Sequence, residues 1–162
     1  MIKNSITNPY IVGNPIKTKE MFFGREDDFA FICRKLQAEK PNQVIVLCGE
    51  RRSGKTSILF QILNGRLGDA FLPMMIDMQI LAGIGSDDDF YKAILAAGIE
   101  QLKPEALEFK KLSELSTASA QTRLAEFIRL LNQIYPSKVV LILLDEYELL
   151  ETKIKGLNYG TD

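Results

Sequence analysis

Val44-Ile45-Val46-Leu47-Cys48-Gly49-Glu50-Arg51-Arg52-Ser53-Gly54-Lys55-Thr56-Ser57 is the stretch that decides the fold. Its first five residues form a continuous apolar run rich in β-branched side chains, the pattern of a short strand buried on both faces. Its end opens a periodic segment, with Ile58, Leu59, Ile62 and Leu63 on one face and Gly65 beyond them, which reads as a helix. Between strand and helix lies a loop bounded by Gly49 and Gly54. The glycines let the backbone fold tightly around a phosphate so that consecutive N–H groups point inward, and the positive end of the following helix adds to the same anion site. Lys55 supplies a point charge to outer phosphates, and the Thr56 hydroxyl is placed to ligate Mg2+. An ordinary glycine-rich strand-to-helix turn is the plainer alternative, but it has no need of Gly, Lys and Thr at these spacings.

Outward from this stretch the same alternation repeats. Upstream, Phe29, Ile32, Cys33 and Leu36 fall at i, i+3, i+4 and i+7, predicting an amphipathic helix from Arg25 to about Ala38 with Glu26, Asp27 and Asp28 in its first turn, where the helix dipole favours negative charge. Before it, Asn8-Pro9-Tyr10 through Ile16 carries two prolines and a glycine and reads as an extended, ordered arm. Downstream, 72–78 is a second strand candidate, in which Met74, Met75 and Met78 read as core. Ser86-Asp87-Asp88-Asp89 then opens a helix with Tyr91, Ile94, Leu95 and Leu102 on one side; the three acids read as cap and dipole residues rather than a metal cluster. Pro104 begins a weakly patterned segment to about Leu115, and Leu124, Phe127, Ile128 and Leu131 predict a helix over 120–134 that Pro136 stops. A third strand follows at 139–144. Strands alternating with helices imply an α/β fold, a parallel sheet covered on both faces.

The third strand runs into two carboxylates, Asp145 and Glu146. In open parallel sheets the ligand site lies at the carboxyl ends of the strands. Asp145 would hold the Mg2+ hydration shell there, and Glu146 would orient or deprotonate an attacking water. Alone, such a strand end is as well explained by acids reaching solvent; the upstream phosphate loop favours the site. Asp77, at the end of the second strand, either joins this network or is solvated. Arg51 and Arg52 fill variable loop positions and meet phosphate, a partner surface or solvent.

Composition narrows the chemistry. The chain has 162 residues, 46% apolar and 25% charged, with 20 basic and 21 acidic side chains for a net charge of −1. That is globular usage, with no long-range positive field for nucleic acid. There is no His, so imidazole bases and ligands are excluded and carboxylate, Lys, Arg and hydroxyl chemistry remain. Cys33 and Cys48 sit among apolar residues without C-x-x-C spacing and read as reduced core thiols, which favours a cytoplasmic setting. Neither a signal peptide nor a membrane span is expected.

The loop 49–56 and the Asp145-Glu146 strand end resemble the Walker A and Walker B elements of P-loop NTPases, and the acidic pair looks like the water-activating division rather than the kinase division. The arm from Asn8 to Ile16, the segment Phe22-Phe23-Gly24-Arg25-Glu26, the loop through Ser57 and the Ile76-Asp77-Met78-Gln79 strand end together resemble the nucleotide-binding domain of STAND ATPases, signal-transduction relatives of AAA+ proteins. The resemblance implies a three-layer α/β/α sandwich and an arm with an adenine-side segment (1–24) before the ATPase core (25–162). It implies nucleotide contacts from Gly49, Glu50, Arg51, Arg52, Ser53, Gly54, Lys55, Thr56 and Ser57, and Mg2+ ligation by Thr56 and Asp145. Lys55 and Glu146 are the expected catalytic residues. Phe22 to Glu26 would lie against adenine; the alternative is that the phenylalanines are core and Glu26 is a first-turn acid.

In relatives of this division a further strand inserts between the Walker A and Walker B strands, and residues 147–162 offer no candidate for it, so the sequence reads as a fragment whose lid and effector or repeat regions lie beyond Asp162. The expected function is an ATP/ADP-binding, slowly hydrolysing switch that needs Mg2+, is able to self-associate on ATP binding and has no membrane partner; a nucleic-acid partner is not indicated, and a local basic patch stays open. An AAA+ motor or an initiator-type loader acting on nucleic acid or protein is the competing reading. A small-molecule kinase is disfavoured by Glu146.

Overall fold

The computed structural model describes residues 13–38, 44–79, 86–102 and 118–149. Over these residues the chain is an α/β protein with the order α1 (Glu26–Gln37), α2 (Lys55–Leu63), β1 (Phe71–Asp77), α3 (Asp87–Leu102), α4 (Ala120–Ile134) and β2 (Val139–Asp145). It divides into two compact units, Met1–Leu67 and Gly68–Asp162.

The second unit is built on a parallel pair. β1 and β2 run in register from Phe71↔Val139 to Asp77↔Asp145. Side chains alternate across a strand, so 72, 74 and 76 of β1 share a face with 140, 142 and 144 of β2. On that face Met74, Ile76, Val140 and Leu144 meet Ile94 and Leu95 of α3 and Phe127, Leu130 and Leu131 of α4. Met74 and Phe127 are fully buried; removing side chains of this size from water is worth about 1.5–3 kcal/mol each. Gly98 is what brings α3 down onto this core. A Cβ there would stand 2.6 Å from Phe127 Cε1 and 2.9 Å from Met74 Sδ.

The helix starts follow the sequence expectation. Ser86 Oγ accepts from the Asp89 N–H and donates to the Asp89 carboxylate, a reciprocal cap on α3. Ser119 caps α4 through the Thr122 N–H. Asp88 accepts from the Ala120 N–H at 2.9 Å and ties the start of α3 to that of α4. Met78, just past β1, is buried with Met74, as the core reading expects of them, whereas Met75 is only half-buried. The segment from Pro104 to Leu115 lies outside the described residues, as do 8–12 of the arm.

In the first unit, α1 buries Phe29 and Ile32, and α2 buries Ile58 and Ile62. Phe22 meets Phe29 edge-on at 5.8 Å, and the Arg66 guanidinium lies over both rings while pairing with Glu26.

The strand expected at 44–48 is absent. These residues carry no ladder, and Val44 and Val46 are 87% and 51% exposed, whereas Ile45 and Leu47 are half-buried. The alternation is that of an extended chain with one face covered. An apolar run becomes a doubly buried strand only when neighbouring strands take up its N–H and C=O groups. Among the described residues only β1 and β2 pair. Cys48 falls with this segment: it is exposed, and its reading as a core thiol is corrected. Cys33 is half-buried on α1.

Candidate functional site

Gly49 to Thr56 links residues 44–48 to α2. Glu50 accepts from the Ser53 N–H at 3.2 Å, closing a turn. Arg52 and Gly54 both have left-handed backbones, at φ 66° and 89°. Gly54 is the N-cap of α2 and tolerates this without strain; Arg52 does not have that freedom. Gly49 is held to no side chain, because a Cβ would come within 2.9 Å of Ser53 Oγ. Lys55 folds back across the turn, its Nζ donating to the carbonyls of Gly49 at 2.8 Å and Glu50 at 3.0 Å.

The start of α2 is chemically unlike the other helix starts in the described residues. α1 and α3 each carry three acids in the first turn, and α4 has its serine cap. α2 has no side-chain cap and no first-turn acid. Its first N–H groups and the dipole therefore present a positive end with no acid of its own first turn against it, and the donor set fits a phosphate. Glu50, Arg51 and Arg52 are exposed, and Thr56 is half-buried.

Ser57 departs from its expected setting. It is buried, and its Oγ accepts from the Ile16 N–H at 2.9 Å. Gln61, fully buried, donates to the carbonyls of Ile16 and Thr18, and Asn64 donates to that of Lys17 at 2.6 Å. Ser57, Gln61 and Asn64 thus form a polar stripe on α2 that holds residues 16–18 by their backbone. The sequence reading missed this role for Gln61 and Asn64. Their i, i+4, i+7 spacing beside Ser57 was the available signal.

The segment 22–26 splits. Phe22 is core, as the alternative reading had it, while Phe23 is 81% exposed. Gly24 and Arg25 are both left-handed. Arg25 donates to the Ser53 carbonyl at 2.8 Å and pairs with Asp28 at 3.1 Å.

In the second unit, Asp145 ends β2 and is the register partner of Asp77 at the end of β1. The two carboxylates share one sheet face, opposite that of Met74 and Ile76. Asp77 accepts from the Gln79 N–H. Glu146 follows in a left-handed conformation, φ 55°, and is exposed. Asp87, Asp88 and Asp89 do not gather as a metal site, and no group of three or more His, Cys, Asp or Glu does so among the described residues. No helix among them is long and apolar enough to cross a membrane. Comparison with known proteins adds no assignment: no family model, curated protein or solved structure matches the chain.

Proposed function

We propose that the chain is a P-loop ATPase domain of the water-activating, STAND-like kind, which binds Mg-ATP at 49–56 and serves as a nucleotide-dependent switch. The observation that carries this reading is the start of α2: a left-handed glycine N-cap with neither acid nor side-chain cap, preceded by a turn in which Arg52 is also left-handed, and crossed by Lys55. This is a polyanion site built from backbone donors and one lysine. Phe23, exposed beside Gly24, offers an apolar face to a base.

Mg2+ would take the Thr56 hydroxyl as a ligand, and when bound it would neutralise charge on the phosphates. On this reading Glu146 takes a proton from, or orients, the attacking water. The three-layer sandwich of that class and coupling of nucleotide state to self-association or to effector regions belong to the same proposal.

The test is thermal unfolding of the chain with Mg-ATP, with Mg-ADP and without nucleotide, alongside Lys55→Ala. A ligand at about 100 times its Kd adds about 2.7 kcal/mol, or roughly 5–10 °C in Tm at this size. A shift of that order that disappears in Lys55→Ala is expected; a cooperative melt that neither nucleotide moves would refute binding.

A further inference from the structure

We infer that Arg25 is a positioning residue for the phosphate loop, and that its guanidinium, steadied by Asp28, acts on bound phosphate through the Ser53 carbonyl instead of touching the base. The inference rests on the reading of 49–56 as a nucleotide loop and adds to it the device that keeps the loop in its binding shape.

Ser53 lies between two left-handed residues, Arg52 and Gly54. The α2 ladder begins at the Gly54 carbonyl, which accepts from the Ile58 N–H at 3.0 Å, so the Ser53 carbonyl lies one residue outside the ladder. Arg25 takes it up, with Nη2 at 2.8 Å. A trans peptide is planar, and its C=O and N–H point in opposite directions. The N–H across this plane from the Ser53 carbonyl is that of Gly54. Fixing the carbonyl on the Arg25 side therefore aims the Gly54 N–H away from it, toward the start of α2 where phosphate would bind.

Without such a hold the plane is free to turn over, because glycine accepts positive and negative φ about equally. A cation on the carbonyl also polarises the peptide and makes its N–H a better donor. Asp28 pairs with the other guanidinium nitrogen, Nη1, at 3.1 Å and fixes the fork so that Nη2 faces Ser53. Arg25 itself sits at φ 66°, an unfavourable region for a residue with a Cβ. A side chain whose task was only to stack on a base in solvent would not need an acid on one nitrogen and a loop carbonyl on the other.

The experiment separates the base from the phosphates. Binding of Mg-ATP and of Mg-tripolyphosphate, which has no base, is measured by titration calorimetry for the wild-type chain, Arg25→Gln, Arg25→Lys and Asp28→Asn. Circular dichroism and thermal melts check that each variant folds. The expected result is an equal loss of affinity for both probes in Arg25→Gln, about three- to tenfold. Arg25→Lys recovers part of it, and Asp28→Asn shows a smaller loss, again equal for both probes. The Gly54 amide resonance should move in Arg25→Gln while those of α2 after Ile58 stay in place. A loss confined to ATP would overturn the inference and return Arg25 to the base; unchanged affinity for both probes would overturn it as well. If the wild-type chain binds neither probe, the nucleotide reading itself fails, an outcome distinct from both.

Discussion

Gln101 pairs with both backbone groups of Met75: its Nε2 donates to the Met75 carbonyl at 2.6 Å and its Oε1 accepts from the Met75 N–H at 2.9 Å. The ladder explains why Met75 is available. Val139 donates to the Ala70 carbonyl, and Met78 donates to that of Asp145. In a parallel pair this register turns the backbone groups of 70, 72, 74, 76 and 78 toward β2 and those of 71, 73, 75 and 77 away. Pro73 occupies one of the outward positions, where a missing N–H loses no bond, and Gln101 closes another. The outer edge of β1 is thus blunted twice by its own chain, as exposed edges need to be.

Gln101→Leu should keep the packing of the side-chain stem and lose both bonds. With each worth about 0.5–1.5 kcal/mol, the expected loss is about 1–3 kcal/mol in urea unfolding, with self-association through the opened edge visible by sedimentation. Unaltered stability would show that water satisfies Met75 equally well.

Gly98→Ala opposes two effects. Alanine in a helix interior gains about 1 kcal/mol over glycine, but here its Cβ would meet Phe127 and Met74 inside ordinary contact distance. Overpacking of a filled core costs about 1–3 kcal/mol, so net destabilisation of up to about 2 kcal/mol is expected. In a Met74→Ala background the added cost of Gly98→Ala should be smaller, because one of the two clashing side chains is gone. Additive losses in the double variant would place the strain elsewhere.

How much of this was legible in the sequence differs by the kind of interaction. The helix at 120–134 was readable to the residue, because Leu124, Phe127, Ile128 and Leu131 repeat at 3.6 and Pro136 ends them. The strands at 71–77 and 139–145 were readable as apolar runs, with ends off by one residue. Val44 to Cys48 has the same signature and no ladder, since apolarity reports a tendency to be buried and says nothing of which strand supplies the partners. The turn after Gly49 and the start of α2 at Lys55 were legible because the glycines answer local requirements. Gln61, Gln101 and Arg25 were not, because each works by bonding the backbone of a residue 26 to 45 positions away.

Acid should weaken the junction of α3 and α4. The hydrogen bond from Lys92, followed by that from the Ala120 N–H, holds the Asp88 carboxyl below its ordinary value, and the bond to Asp88 raises Lys92. A lowered carboxylate contributes stability that is present above about pH 4 and lost as pH falls through its folded value; a raised lysine contributes stability present below about pH 10 and lost only as pH rises beyond it. The stability gap between wild type and Asp88→Asn should therefore be widest at neutral pH and narrow as pH falls below about 4. A gap independent of pH over that range would mean that the carboxylate charge contributes nothing.

The arm should come loose when its buried anchor is removed. Gln61→Leu deletes the donors to Ile16 and Thr18 and leaves Ser57 and Asn64 to hold residues 16–18. Two bonds at about 1 kcal/mol each make local opening about thirty times more frequent. Trypsin, cutting after Lys17 and Lys19, should then cleave the folded variant faster by a factor of that order. Equal cleavage rates would show that the stripe does not restrain the arm.

Glu146 sets stability against the proposed chemistry in a single residue. Its φ of 55° is a left-handed backbone that costs a residue with a Cβ about 1–2 kcal/mol and that asparagine adopts more readily. Strain of this kind concentrates at functional sites, where the surrounding structure holds the residue in place. Glu146→Asn should raise stability by several tenths of a kcal/mol to about 1 kcal/mol, while Glu146→Gln, which keeps the side-chain length, should leave it nearly unchanged. Both remove the carboxylate, so both should bind Mg-ATP and slow its hydrolysis about 100-fold or more, the usual contribution of a general base. Melting curves and phosphate release measured on the same samples separate the two effects. Turnover at the wild-type rate in either variant would remove Glu146 from the reaction, and a less stable Glu146→Asn would show that the left-handed turn carries no strain for asparagine to relieve.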